Sequence, residues 1–191
     1  MRVIIKPLGV AVLLSVMASL AVLPRLFPLK PITRSATAAP RVASSPEQVP
    51  LKASLWEAYS DPGASLARRP LQADRPDLKD PVRFDIFEPG PHPWSIGYHI
   101  QVPTAQIPSG KAQLKFLARS TAEREITVMT QATVAPYTTD SQQPIALTTQ
   151  WKEYTVDLRV DKHPEKVFFL TFQFGQAKNA VELASIRLLR K

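Results

Sequence analysis

The chain has no cysteine among its 191 residues. That absence removes disulfides, thiolate catalysis, cysteine-ligated zinc and a lipoprotein anchor. The three histidines, His92, His99 and His163, are scattered, and no His-x-x-x-His or His/Asp spacing suggests a metal site. There is no serine nucleophile elbow and no glycine-rich phosphate loop. Long apolar runs are few: the longest uncharged one, Leu8 to Leu23, is marginal for a membrane helix, which needs roughly 20 residues. Proline is thin in the second half, with 16 of its 19 copies lying before Gly110. The regular part of the chain is therefore the later part.

Charge is unevenly placed. The formal net charge is +8, but residues 1–50 hold six basic side chains against one acid, Glu47. The remaining 18 basic and 15 acidic residues leave only +3 on 51–191, with no Lys/Arg cluster. Nucleic acid is not an expected partner of so balanced a domain. The basic leader, with Arg2 and Lys6 ahead of the apolar run, reads as a signal peptide or membrane anchor over 1–29. A small-x-small "ATA" at 36–38 has the form of a cleavage site, so removal and retention both remain open. The expectation is export to the periplasm, cell surface or medium, with the leader engaging the membrane or the export machinery. A tether to the inner membrane is one form of it. Residues 30–50, KPITRSATAAPRVASSPEQVP, read as a flexible linker, and 51–191 as the folded domain. Within it, "SLWEAYSD" at 54–61 suggests a short helical turn, and the proline-broken stretch up to 81 a coil wrapping the domain.

From Val82 onward the pattern is short strands. They run 82–87, 94–102, 112–120, 124–134, 144–148, 152–160, 166–174 and 181–189. Turn signals separate them, such as "PSG", "STAE", "TTDSQQP", "DKHP" and "GQAKN". Eight strands at this spacing, without a convincing helix, imply an all-β antiparallel sandwich.

Parity sorts the faces of these strands. In "PHPWSIGYHI" and the residues after it, Ile96, Tyr98, Ile100 and Val102 share the core side, while Ser95, Gly97, His99 and Gln101 oppose them. Trp94 has core parity but opens the strand beside Pro93, at the border. In 124–134, Ile126 and Val128 oppose Thr127, Met129 and Gln131. In 166–174, Phe168, Leu170, Phe172 and Phe174 oppose Phe169, Thr171 and Gln173. The outward set thus includes His99, Gln101, Arg119, Gln131 and Gln173, rich in planar donors and poor in carboxylates. Amide and guanidinium groups match vicinal hydroxyls, and aromatic rings offer flat faces to C–H groups. The same alternation is also what any half-solvated sheet shows.

Four segments add a resemblance. "PSGKAQLKFLARS", "ITVMTQATVAPY", "IALTTQWKEYTVDLRV" and "KVFFLTFQFGQAKNAVELASIRLL" follow one another in the order of the CenC-like carbohydrate-binding modules, the family 4/9/22 jelly rolls of polysaccharide-degrading enzymes. The similarity spans roughly 90–191. It implies a two-sheet, galactose-binding-like jelly roll with a concave cleft for a polysaccharide or oligosaccharide. Tyr137 matches the family's "py" position, Arg119 its Ala-Arg, and Trp151 its Trp, which usually plugs the sandwich edge. The family sometimes holds a structural calcium. Here the last strand reads "VELASI" where many members carry Asp followed by Asn or Asp, which leaves calcium few oxygen ligands.

The expectation is a non-catalytic binding module that uses Trp94, His99, Gln101, Arg119, Gln131, Tyr137 and Gln173, with no cofactor. Glycoside hydrolysis needs two facing carboxylates, and the polar face offers only Glu125 and Glu182. A module that stands alone is expected, since no catalytic segment follows Lys191. The alternatives are an envelope protein-interaction or structural module without a glycan, or an accessory part of a glycoside hydrolase system.

Overall fold

The computed structural model describes residues 46–191. The leader and all but the end of the linker lie outside the described residues. The described residues form eleven strands: β1 (Gln48–Val49), β2 (Glu57–Ser60), β3 (Ser65–Pro70), β4 (Val82–Glu88), β5 (Ile96–Pro103), β6 (Lys111–Ser120), β7 (Arg124–Ala132), β8 (Thr139–Leu147), β9 (Lys152–Arg159), β10 (Val167–Gln173) and β11 (Val181–Arg190). They make two antiparallel sheets. One runs β3-β4-β11-β6-β9, with β1 also on β11, and the other runs β2-β5-β10-β7-β8. The expected all-β two-sheet sandwich is what forms.

The alternation read from the sequence explains the core. Phe84 and Ile86 of β4, Leu114 and Phe116 of β6, and Val181 and Leu183 of β11 face in from the six-stranded sheet. Ile96, Tyr98 and Ile100 of β5, with Phe168, Leu170 and Phe172 of β10, face them from the other. Phe116 meets Phe172 edge-on at 5.0 Å, a favoured arrangement for two rings.

Three short strands were not expected. β1 takes Gln48 and Val49 from the linker and pairs them with Leu189 and Leu188. Residues 53–55 do make a single 3-10 turn, but Glu57–Ser60 then extends as β2. β3, Ser65–Pro70, forms where only wrapping coil was expected, and the strand expected at 144–148 begins earlier, at Thr139, as β8. Each departure has the same cause. An edge strand needs only one partner, so prolines and polar residues are tolerated there.

The wrapping coil over 71–81 is present and is fastened. Leu78 packs on Leu117, Ala184 and Trp151, on the outer surface of the six-stranded sheet. Ser185, at a bulge in β11, donates from its hydroxyl to the Asp77 carbonyl and accepts from the Lys79 N–H at 2.9 Å. Trp151 is thus a packing residue of this outer surface, and the Arg119 guanidinium lies 4.8 Å from its ring.

Beside it, the Glu182 carboxylate is only 3% exposed. It accepts from Arg83 Nη1 at 2.8 Å and from Arg119 Nε, so it joins β4, β11 and β6. Truncating it would leave two guanidinium groups facing one another. Breaking a fully buried pair costs about 3–5 kcal/mol. Both arginines here keep some contact with water, so Glu182→Ala is expected to lose about 2 kcal/mol. Urea unfolding measures this, and an unchanged midpoint would refute the structural role.

Candidate functional site

The five-stranded sheet turns its outer face to solvent, and the register lays that face out as a grid. One row across the strands is Tyr59, Gly97, Gln173 and Thr127. The next is Glu57, His99, Thr171, Met129 and Gln142. A third holds Gln101, Phe169, Gln131 and Thr139. Neighbours along a row stand about 4.8 Å apart, a spacing set by the hydrogen-bond ladder.

Rings cross this grid on the diagonal. Tyr59 lies 5.1 Å from His99, and His99 stacks on Phe169 at 4.3 Å. Gly97 makes the first step possible: a Cβ there would come within 2.5 Å of the Tyr59 ring. The side chain of Gln173 hydrogen-bonds the Tyr59 hydroxyl. Sequence parity had placed Gln173 correctly on this face, but not its packing beneath the tyrosine.

Two more rings stand clear of the floor. Trp94 is 51% exposed, on a 3-10 turn over Pro93–Ser95 that leads into β5. It stacks on His92 at 4.4 Å. Gly175 holds this turn close to β10. Its N–H donates to the Pro93 carbonyl at 2.8 Å, and a Cβ would strike the His92 carbonyl at 2.6 Å. Tyr137 is 52% exposed, in the β7–β8 loop, and its φ is +55°. A left-handed backbone at a non-glycine residue costs about 1–2 kcal/mol. Its N–H donates to the Val134 carbonyl, which holds the turn.

Trp94, Tyr137, His99, Gln131 and Gln173 line one open cavity of about 680 Å³, together with Tyr59, Asp61, Met129, Gln142 and Phe169. Gln101 lines a second cavity of about 490 Å³, which meets the first at His99. Six of the seven expected residues therefore belong to one continuous face. Arg119 does not. It sits on β6 in the opposite sheet, committed to Glu182. Parity tells in from out, but it cannot tell which of two sheets a strand joins. His163 lies in the loop between β9 and β10, away from this face. It is buried, with Nε2 2.9 Å from the Asp140 carboxylate.

Tyr59, Phe169 and Asp61 escaped the sequence reading as site residues. Phe169 carried a usable signal: an aromatic on the polar parity of its strand. Tyr59 and Asp61 gave none, because β2 itself was read as a turn.

The groove carries no lysine or arginine. Burial pushes the Tyr59 hydroxyl up to about 12. Burial also lowers the His99 imidazole, and Glu57, 3.7 Å away, opposes that only in part. Both groups are therefore neutral near pH 7. Such a floor can donate and accept hydrogen bonds and stack flat apolar surfaces. It has no cation to hold an anion.

The His99 shift has a sign that can be measured. The folded state takes a proton on His99 less readily than the unfolded state does. Stability must then fall as pH drops below about 6.5, the ordinary imidazole value. It levels off once the folded form is protonated as well. His99→Gln is expected to remove this part of the slope in urea melts taken between about pH 7.5 and 5. An identical slope in the variant would exclude the shift.

No protein-family model matches the chain, and no curated protein does. Solved structures do. A family 4 carbohydrate-binding module superposes with a TM-score of 0.61 at 17% identity, covering 71% of this chain and 86% of the other. The second N-terminal cellulose-binding domain of Cellulomonas fimi β-1,4-glucanase C gives 0.52 at 20%, covering 71% and 85%. A family 11 module from Clostridium thermocellum, in complex with a β-1,3-1,4-mixed-linked tetrasaccharide, gives 0.51 at 13%, covering 71% and 89%. The two sheets of residues 46–191 thus have the jelly-roll fold of the carbohydrate-binding modules.

Proposed function

We propose that this chain binds a neutral polysaccharide or oligosaccharide and does no chemistry on it. One observation carries the reading. Two half-exposed rings, Trp94 and Tyr137, stand over a floor of amides, hydroxyls and further rings that holds no lysine or arginine. Sugar C–H faces stack on rings, and sugar hydroxyls pair with Gln131, Gln142 and Gln173. The solved modules named above support it, one of them holding a tetrasaccharide. The carboxylates nearest the groove are Glu57 and Asp61, one on β2 and one just beyond its end. They flank the ring band rather than closing over it as an acid and a nucleophile must.

The basic, apolar leader supports a location outside the cytoplasm, with residues 1–29 engaging the membrane or the export machinery. A groove without lysine or arginine fits that setting, since the ligand would be a structural or nutrient glycan rather than a nucleotide.

The test is binding of the full chain to soluble β-glucan, xylan and peptidoglycan fragments, by affinity electrophoresis and calorimetry. Trp94→Ala and Tyr137→Gly are each expected to weaken binding about tenfold, the loss of one well-placed stacking contact. Tyr137→Gly should do so without lowering the melting temperature, because glycine relieves the left-handed backbone. A folded chain that binds none of these polymers, or variants that bind as the parent does, would refute the reading.

A further inference from the structure

The ring-lined groove holds one charged side chain near pH 7, and it is acidic. β2 turns Glu57 and Tyr59 outward, and Asp61, two residues on, keeps their parity. Asp61 lines the larger cavity with Trp94, Tyr59 and Gln173, and no lysine or arginine lines it with them. Lys52 belongs to the smaller cavity, where Glu57 accompanies it.

The backbone of Asp61 is fixed from two sides. Its N–H donates to the Ser95 carbonyl at 2.8 Å, so it is held against the turn that carries Trp94. Its carbonyl accepts from the Ala64 N–H at 3.0 Å, closing a turn through Pro62 and Gly63, whose φ is +88°. Aspartate is common at the start of such turns, because its side chain can bond the turn's own backbone. Here the backbone closes the turn without it. Among the described residues, the Asp61 carboxylate has no hydrogen-bond or ion-pair partner. Its charge does reach the groove floor. Burial first, and Asp61 after it, raise the Tyr59 hydroxyl against the pull of the Gln173 hydrogen bond.

A sugar unit stacked beside Trp94 would shield this carboxylate from water. Shielding a charge is costly unless hydrogen bonds replace the water. Sugar hydroxyls are donors, and a carboxylate accepts at two oxygens. An ionised sugar acid offers no donor in that group, and it adds a second negative charge where no cation offsets it.

We infer that Asp61 is a specificity-determining residue of the groove. Its carboxylate accepts hydroxyls of the sugar unit beside Trp94 and repels a glycan that carries an acid group there. This rests on the glycan reading above and names the residue that sets the charge of the sugar.

The test uses calorimetry on the full chain with two tetramers of one β-1,4 backbone, one of glucose and one of glucuronic acid. They differ only in whether C6 is a hydroxymethyl or a carboxylate. If xylan is the polymer bound, xylotetraose with and without a glucuronic acid branch replaces them. The parent is expected to prefer the neutral member. Asp61→Asn should shrink that preference about tenfold, the effect of removing one like charge at close range. Asp61→Glu keeps the charge and should keep the preference. The basic leader attracts the acidic member in parent and variants alike, so the change between them is the readout. Melting temperatures check that each variant folds. Equal affinity of the parent for both members, or a preference that survives Asp61→Asn, would overturn the inference alone. So would binding of peptidoglycan fragments, which carry carboxylates, by a chain that binds neither β-glucan nor xylan. Failure to bind any glycan would remove it together with the reading beneath it.

Discussion

Everything on the exposed face depends on the alternation of β10. This strand is the middle of the five-stranded sheet, paired to β5 on one side and β7 on the other. Phe168, Leu170 and Phe172 enter the core, and Phe172 packs between Phe116 and Trp56. Phe169, Thr171 and Gln173 are thereby forced outward onto the groove floor. A slip of one residue would exchange the two sets and expose the phenylalanines. The core therefore fixes which side chains of β10 reach the ring band. The groove needs no rearrangement to present its floor, so less ordering is charged against binding.

Legibility from sequence followed the same physics. The eight strands from β4 onward alternate over seven to ten residues and are bounded by turn residues, so period and face could both be read. His99, Gln131 and Gln173 followed directly from that parity. Arg119 has equally good parity and is on the wrong sheet, because strand order is set by long-range pairing that no local pattern encodes. β1, β2 and β3 are edge strands rich in Pro, Arg and Ser, with little alternation to detect. Tyr59 went unseen with β2, although it covers the centre of the face. Trp94 was legible as a border residue, since the proline beside it ends the strand pattern there.

The positive charge of the domain is largely spoken for by structure. Arg83 and Arg119 hold Glu182. Arg68 donates to the Trp56 carbonyl and lies 5.0 Å from the Tyr98 ring. Arg124 is more unusual. It donates to the carbonyls of Phe174 and Ala177 and to Asn179 Oδ1, with no carboxylate partner, and burial pulls it down to about 10. A guanidinium gathers these oxygens where the β10–β11 loop turns. The same loop carries Gly175, which holds the Trp94 turn. An arginine far from the groove thus helps to set the height of its most exposed ring.

The pairing of β1 with β11 has a mechanical side. Gln48 lies opposite Leu189, and Glu47 is joined to Arg190 by a backbone hydrogen bond and an ion pair. The two strands are antiparallel, so Glu47 and Lys191 leave the sandwich at the same end. Tension between those points would load the bonds in series and peel them open one at a time, like a zipper. Tension on β5 and β10 along their length would instead load seven paired positions in parallel. The groove is thus built on the sheet whose strands would yield last, and the chain enters through the one that would yield first.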